Sequence, residues 1–209
     1  MLPWLLLLFF SEEWAKNKNS SIKFQTLSGD LIAKHQGELI SLDLPVAPPI
    51  EEKKDDLGNL LELITESKNI RHVAFSEKTR KLLVRLDDNI SREQLEKLSP
   101  DIENFTKVHQ GKIRGVVVTL RCNNLGEKGP TYDFVSRYFS PWNGIPEDPV
   151  TGSAHTVLAP YWAAELGKQQ LHARQCSPRG GDLVLTMRDD GRVDVAGPAV
   201  IVLEGKINI

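Results

Sequence analysis

Only two cysteines, Cys122 and Cys176, occur in the 209 residues. That is too few for a disulfide framework, and neither sits in a C-x-x-C or Cys/His spacing of the kind zinc uses. No metal site is expected, and reducing, cytoplasmic surroundings are. Blocks of one charge are missing too: 26 Lys and Arg stand against 28 Asp and Glu, a net charge of −2. Without a basic stripe, nucleic acid is not expected as a partner. A long apolar run is also wanting. The N-terminal MLPWLLLLFF is about half of the ~20 residues a membrane span needs, and no small-residue cleavage site follows in SEEWAKNK. It reads as a buried or partly buried helix from Leu2 or Pro3 to about Lys16, with proline in its first turn, and no membrane partner is expected. Hydrophobic residues make up 40% of the chain, enough for the core of one large or two small domains.

What is present is concentrated between Ser140 and Lys168, where the polar turn SPWNGIPEDPVTGS runs straight into an apolar helix. Thr151 fits an N-cap, and Gly167 followed by Lys168 fits a C-terminal stop. Between about Ala154 and Leu166 the apolar residues spread around the whole circumference, so the helix should be buried on most sides. Pro160 lies inside it and should bend it. At its start, the N–H groups of Gly152, Ser153 and Ala154 lack partners within the helix, and with the helix dipole they form a seat for a carboxylate or phosphate. Glycine there admits a ligand close to the backbone. Asp148, fixed by Pro149, would bring an acid/base group to the same place, and Ser153 a hydroxyl. On these residues alone, capping by Asp148 and Thr151 is the plainer reading.

Before this stretch, Ile22–Thr26, Leu31–His35 and Leu39–Leu44 alternate as short strands of an antiparallel meander. Pro45, Pro48, Pro49 and the charged EEKKDD then mark a boundary, giving units 1–47 and 48–209. Leu57 to Ser67 is patterned as an amphipathic helix, with strands at Val73–Phe75 and Leu82–Leu86. Ser91 to Leu98, with Glu93 and Glu96, has a capping pattern for another helix. Strands are expected at Ile113–Leu120, Tyr132–Phe139, Leu171–Cys176, Leu183–Met187 and Arg192–Val195, and Ala199–Leu203 should close the sheet. The order of a strand ending in Gln25, Ser28-Gly29-Asp30-Leu31 and Leu42-Asp43-Leu44 returns as a strand ending in Gln175, Gly180-Gly181-Asp182-Leu183 and Val193-Asp194-Val195. Such a weak repeat suits two related units.

Other combinations are less productive. Ser153 and His155, two apart on a helix, point about 200° away from each other, and no G-x-S-x-G elbow exists, which excludes a hydrolase triad with Asp148. His155 reads as a packed helix residue, Tyr161 and Trp162 as core, and Cys176 as a buried small residue. Arg179 either solvates its loop or reaches a ligand carboxylate; Arg137 and Tyr138 either support the core or line the site.

The runs EDPVTGSAHTVLAPYWAAELGK, ARQCSPRGGDL and DGRVDVAGPAVIVLEG resemble the PhzF family of phenazine-biosynthesis-like proteins, from about Ser20 to the C-terminus. The resemblance implies an α+β, diaminopimelate-epimerase-like fold: two pseudo-repeated domains, each a curved, mostly antiparallel sheet around a central helix, with the first incomplete here. It implies an isomerase that moves a proton on a small carboxylic acid without metal or organic cofactor. The family's active-site aspartate falls on Asp148 and its glycine-serine pair on Gly152 and Ser153. Its N-terminal glutamate base and glycine-histidine turn match no position of this sequence, so activity should be weakened or lost. Two functions stay open: an isomerase-family protein with Asp148 and Ser153 as catalytic groups and Gly152, Ser153, Ala154 and Arg179 holding substrate, or a non-catalytic chain that contacts a WD-repeat protein, as the animal branch of the family implies. Homodimers are expected by the same resemblance.

Overall fold

A computed structural model describes residues 21–26, 29–122 and 130–200. The expected N-terminal helix, and positions 201–203 of the expected closing strand, lie outside those residues. Eleven strands form one mixed sheet: β1 (Ser21–Thr26), β2 (Gly29–Gln36), β3 (Leu39–Pro45), β4 (Ile50–Glu51), β5 (Ile70–Ser76), β6 (Lys81–Leu86), β7 (Gly115–Arg121), β8 (Phe134–Phe139), β9 (Gln170–Gln175), β10 (Gly181–Met187) and β11 (Arg192–Pro198). Their spatial order is β1-β2-β3-β11-β10-β9-β8-β7-β6-β5-β4.

That order gives the sequence repeat a physical form. β1-β2-β3 and β9-β10-β11 are both antiparallel meanders, and they meet where β3 pairs with β11. The two matching segments of the repeat face each other antiparallel across this seam, Leu42 opposite Val195 and Leu44 opposite Val193, so that only Asp43 meets its own counterpart, Asp194. Two directly opposed aspartates would repel. Arg188 bonds Asp43 at 2.6 Å and approaches Asp194 at 3.6 Å, while the Arg192 Nε also bonds Asp43. These guanidinium contacts hold the Asp43 carboxyl below its ordinary range against the opposing effect of burial.

Two strand pairs, β6 with β7 and β8 with β9, are parallel and need crossovers. The first crossover carries α2 (Arg92–Glu96) and α3 (Ile102–Val108); the second is the long helix α4 (Gly152–Leu166). The short α1 (Gly58–Glu62) precedes β5. Helices thus cover both faces of the sheet centre, and β7 and β8 bury nearly every residue. This is why Ile113–Leu120 reads as a continuous apolar run rather than an alternating one. On one face Leu82, Val84, Val116 and Val118 pack with α1 to α3; on the other Leu83, Val117, Phe134 and Tyr138 pack with α4.

Several expectations are corrected. The patterned helix at Leu57–Ser67 shrinks to α1, because Leu63 and Ile64 turn into a connection that still buries Ile64 in the core. The capping box of α2 uses Gln94, not Glu93 or Glu96: Gln94 N–H donates to Ser91 Oγ at 3.2 Å and Ser91 N–H to Gln94 Oε1 at 2.8 Å. Helix α3 and strand β4 carry no clear periodicity and were not expected. Ala199 and Val200 lie in no strand.

Helix α4 is buried along Ala154–Ala159 and at Trp162, as its all-round apolar pattern requires. Trp162 is fully buried, stacked on Phe134 with ring centroids 5.4 Å apart, and its indole N–H donates to Thr119 Oγ1 at 3.0 Å. Pro160 cannot donate to the Thr156 carbonyl four residues back. The linker after β3 supplies the missing donor: Ala47 N–H reaches Thr156 O at 2.9 Å. The proline therefore couples helix and linker while α4 continues as one element.

Candidate functional site

The site is built at the N-terminal end of α4, and it starts with the turn Ile145–Thr151. Asp148 N–H donates to Tyr138 O at 3.0 Å, which lays the turn alongside the end of β8. Glu147 is gripped by Arg137, Nε to Oε1 at 2.7 Å and Nη2 to Oε2 at 2.8 Å. The remaining amine of Arg137 donates to the carbonyls of Leu95, Glu96 and Leu98 at and just beyond the C-terminal end of α2. Arg137 is thus a buried clamp between turn and helix, which decides between its two sequence readings in favour of support.

Gln175, the last residue of β9, fixes the turn from the other side. Its side chain accepts from Thr151 N–H at 2.8 Å and donates to Asp148 O at 2.6 Å. Sequence reading passed over this residue, although it falls on the buried face of an alternating strand, where glutamine is out of place without partners. A second loop is tied in by Ser177, whose hydroxyl donates to Pro149 O at 2.8 Å and accepts from Gly180 N–H at 3.0 Å. A Cβ at Gly181 would stand 2.5 Å from Val150 Cγ2, so a larger residue there would push Val150 in the turn.

Thr151 occupies the N-cap position, but its hydroxyl caps nothing: it donates to the Asp148 carboxylate. The Thr151 carbonyl takes the N–H of Ala154 at 3.1 Å and, more weakly, of His155 at 3.4 Å. Ala154 is buried with its N–H spent, so the seat narrows to the N–H groups of Gly152 and Ser153. Ser153 is exposed and Gly152 half-buried, and a Cβ on Gly152 would meet only Leu44, at 3.9 Å. The opening therefore lies beside β3. Asp148, Gly152 and Ser153 come together in one turn, and Arg179 is exposed on the loop that Ser177 ties to Pro149.

His155 faces inward. Its Nδ1 lies 2.8 Å from Thr151 O, so it carries the proton, while Nε2 is buried without a partner among the described residues. Complete burial pushes its pKa down to about 4, and it stays a neutral packing residue against Phe134. Burial likewise pushes Cys176 up to about 12, which removes it as a nucleophile. Tyr138 is held above the ordinary phenol range by burial, with the Asp148 charge acting in the same direction.

This arrangement, one large mixed sheet with a buried helix whose start carries a turn bearing a carboxylate, defines an α+β protein of the diaminopimelate-epimerase-like class. A predicted epimerase of Pseudomonas aeruginosa shares that fold, with a TM-score of 0.57 at 14% identity over 92% of this chain and 68% of that one. Residues 5–205 match the family model described as phenazine biosynthesis-like protein, and the chain belongs to the PhzC-PhzF family. The human phenazine biosynthesis-like domain-containing protein is 45% identical over 193 residues, 92% of this chain and 67% of the relative. An uncharacterized isomerase of Pseudomonas aeruginosa is 39% identical over 188 residues, 90% of this chain and 64% of the relative. The crystal structure of a PhzF-family protein from Enterococcus faecalis superposes with a TM-score of 0.81 at 29% identity, covering 98% of this chain and 70% of that one. The membership is thus of an isomerase family. Among the described residues no helix is long and apolar enough to cross a membrane.

Proposed function

We propose that this chain binds a small carboxylic acid at the start of α4 and takes part in a cofactor-independent proton shift on it. The observation that carries the reading is the pair of Gly152 and Ser153 N–H groups, which have no hydrogen-bond partner among the described residues, in the same turn as the Asp148 carboxylate. Two convergent backbone donors at a helix N-terminus favour a carboxylate and would favour still more the enolate-like charge that develops when a neighbouring proton leaves. Asp148 then serves as the proton-handling group, and the Ser153 hydroxyl as a further donor to the acid. Thr151 and Gln175 orient Asp148, and Arg179 meets anions at the rim.

The glutamate base that the family resemblance implies has no counterpart in this sequence, and a positioned base is worth about 10²- to 10⁴-fold in rate. We therefore propose low intrinsic turnover for these 209 residues. Deuterium incorporation from D₂O into a panel of small unsaturated and hydroxy acids tests both points. Slow exchange that disappears in Asp148→Asn supports the assignment; exchange unaffected by that change overturns it. Gly152→Val should abolish carboxylate binding, measured by calorimetry, and leave the β5–β7 core folded. A second reading, contact with a WD-repeat protein, draws on β1, which has a neighbouring strand on one side only among the described residues.

A further inference from the structure

Lys81 is a buried lysine that takes no part in the seat at the start of α4. It opens β6 and is only 7% exposed, yet no carboxylate reaches its ammonium group in any described contact. Strand alternation puts it on the same face as Leu83 and Arg85, the face covered by α4. Sheet register then fixes which end of α4 it serves. Lys81 pairs with Gly115, and the β7–β8 ladder that sets Val116 opposite Phe139 brings Gly115 level with the end of β8. Arg85 lies at the other end of the helix, bonded to Glu165. Lys81 therefore lies at the end where α4 begins.

Its surroundings point the same way. The Lys81 ammonium lies 5.6 Å from the centre of the Tyr138 ring, and Tyr138 is the residue whose carbonyl holds Asp148 N–H. The Tyr138 hydroxyl lies over Gly115, where a Cβ would stand 2.3 Å away, so glycine at 115 is what lets the ring occupy this place. A ring face offsets part of the loss of water around a cation, but far less than a carboxylate or a full hydration shell. Burial alone pulls the Lys81 ammonium down to about 8, with no opposing contribution from an anion. Leucine or methionine would fill the position at lower cost. Among groups nearby, Lys78 is engaged with Val46 O at 3.2 Å, and the Asp148 carboxylate is taken by Thr151.

We propose that Lys81, with the Tyr138 hydroxyl, forms a second anion subsite next to the α4 seat, so that the acid bound here is a dianion: one carboxylate on Gly152 and Ser153, a second acidic group on Lys81. This rests on the carboxylate seat proposed above. A charge-assisted hydrogen bond to a partly desolvated ammonium carries roughly ten- to a hundredfold in affinity. Lys81 is a binding residue here and takes no part in moving the proton.

The test compares propionate with malonate, succinate and glutarate by calorimetry, on the full chain. At least one diacid should bind about tenfold or more tightly than propionate. Lys81→Met should bring that diacid to within about twofold of propionate, with propionate itself unchanged, and Gly152→Val should weaken both. Lys81→Met removes a buried charge, so it should fold. A readout without any substitution is reductive ¹³C-methylation of the lysines, in which the Lys81 resonance should move with the diacid and stay still with propionate. A diacid preference that survives Lys81→Met, or a Lys81 resonance unmoved by a diacid that still needs Gly152, overturns the subsite and leaves the seat standing. Failure of every acid to bind the unaltered chain overturns the seat, and the subsite with it.

Discussion

Replacing Arg137 by methionine should unhinge the turn that carries Asp148. Arg137 is 7% exposed and Glu147 presents 16% of its side chain, so their two bonds at 2.7 and 2.8 Å form a largely buried pair. Removing one member of such a pair leaves the other charge stranded, which costs about 3–5 kcal/mol when burial is complete. Because Glu147 keeps some contact with water, about 3 kcal/mol is the fitting figure, and part of it comes from the α2 carbonyls that lose their donor. In a chain of this length that corresponds to a fall in melting temperature of roughly 6–12 °C. The double variant Arg137→Met/Glu147→Gln removes the stranded charge and should recover about 2 kcal/mol relative to the sum of the single losses. Urea unfolding of the four proteins measures the coupling. Carboxylate binding should weaken in Arg137→Met and return in part in the double variant. A single loss below about 1 kcal/mol, or strictly additive losses, would refute the view that this pair holds the site in place.

Three further outcomes are expected. His155 carries about 4 in the folded chain against an ordinary 6.5; the unfolded chain takes up a proton first, so its contribution is intact above 6.5 and fades as pH falls towards 4, by about 3 kcal/mol. Urea midpoints of His155→Gln should therefore show a shallower acid decline, and parallel curves would contradict it. Ala47→Pro deletes the donor to the Thr156 carbonyl and should cost about 2 kcal/mol, and adding Pro160→Ala, which restores an N–H within the helix, should return part of it; no rescue would sink the link between linker and proline. With its thiol pushed up to about 12, Cys176 should resist a disulfide reagent at pH 8 until urea unfolds the chain, while the less buried Cys122 reacts first.

The sequence was most legible where one physical cause dominated. An apolar surface on all sides of α4, closed by Gly167 in the left-handed conformation at φ 63°, marked a buried helix with a sharp end. β-branched and alternating runs marked β6 to β11 within a few residues. Legibility failed where tertiary partners decided. Leucine spacing promised a helix through Ser67, yet Leu63 and Ile64 serve the core better in a turn. Thr151 has the chemistry of a cap, but a neighbouring carboxylate claims its hydroxyl. The roles of Gln175, Arg137 and Lys81 could not be read locally, because each acts through partners on other elements: Gln175 through Thr151, Arg137 through Glu147 and the end of α2, Lys81 beside Tyr138.

Local chemistry by itself determined where the chain must turn, which helix is entombed, and that Asp148, Gly152 and Ser153 share one short stretch, since all of this follows from neighbours in sequence. Only the folded sheet decided that repeat units meet at β3 and β11, that Ala47 completes a helix broken by proline, and that a lysine from β6 arrives beside a turn following β8. Contacts of that kind are fixed by strand order and register, which depend on the whole set of pairings being satisfied at once, and no window of the sequence contains them.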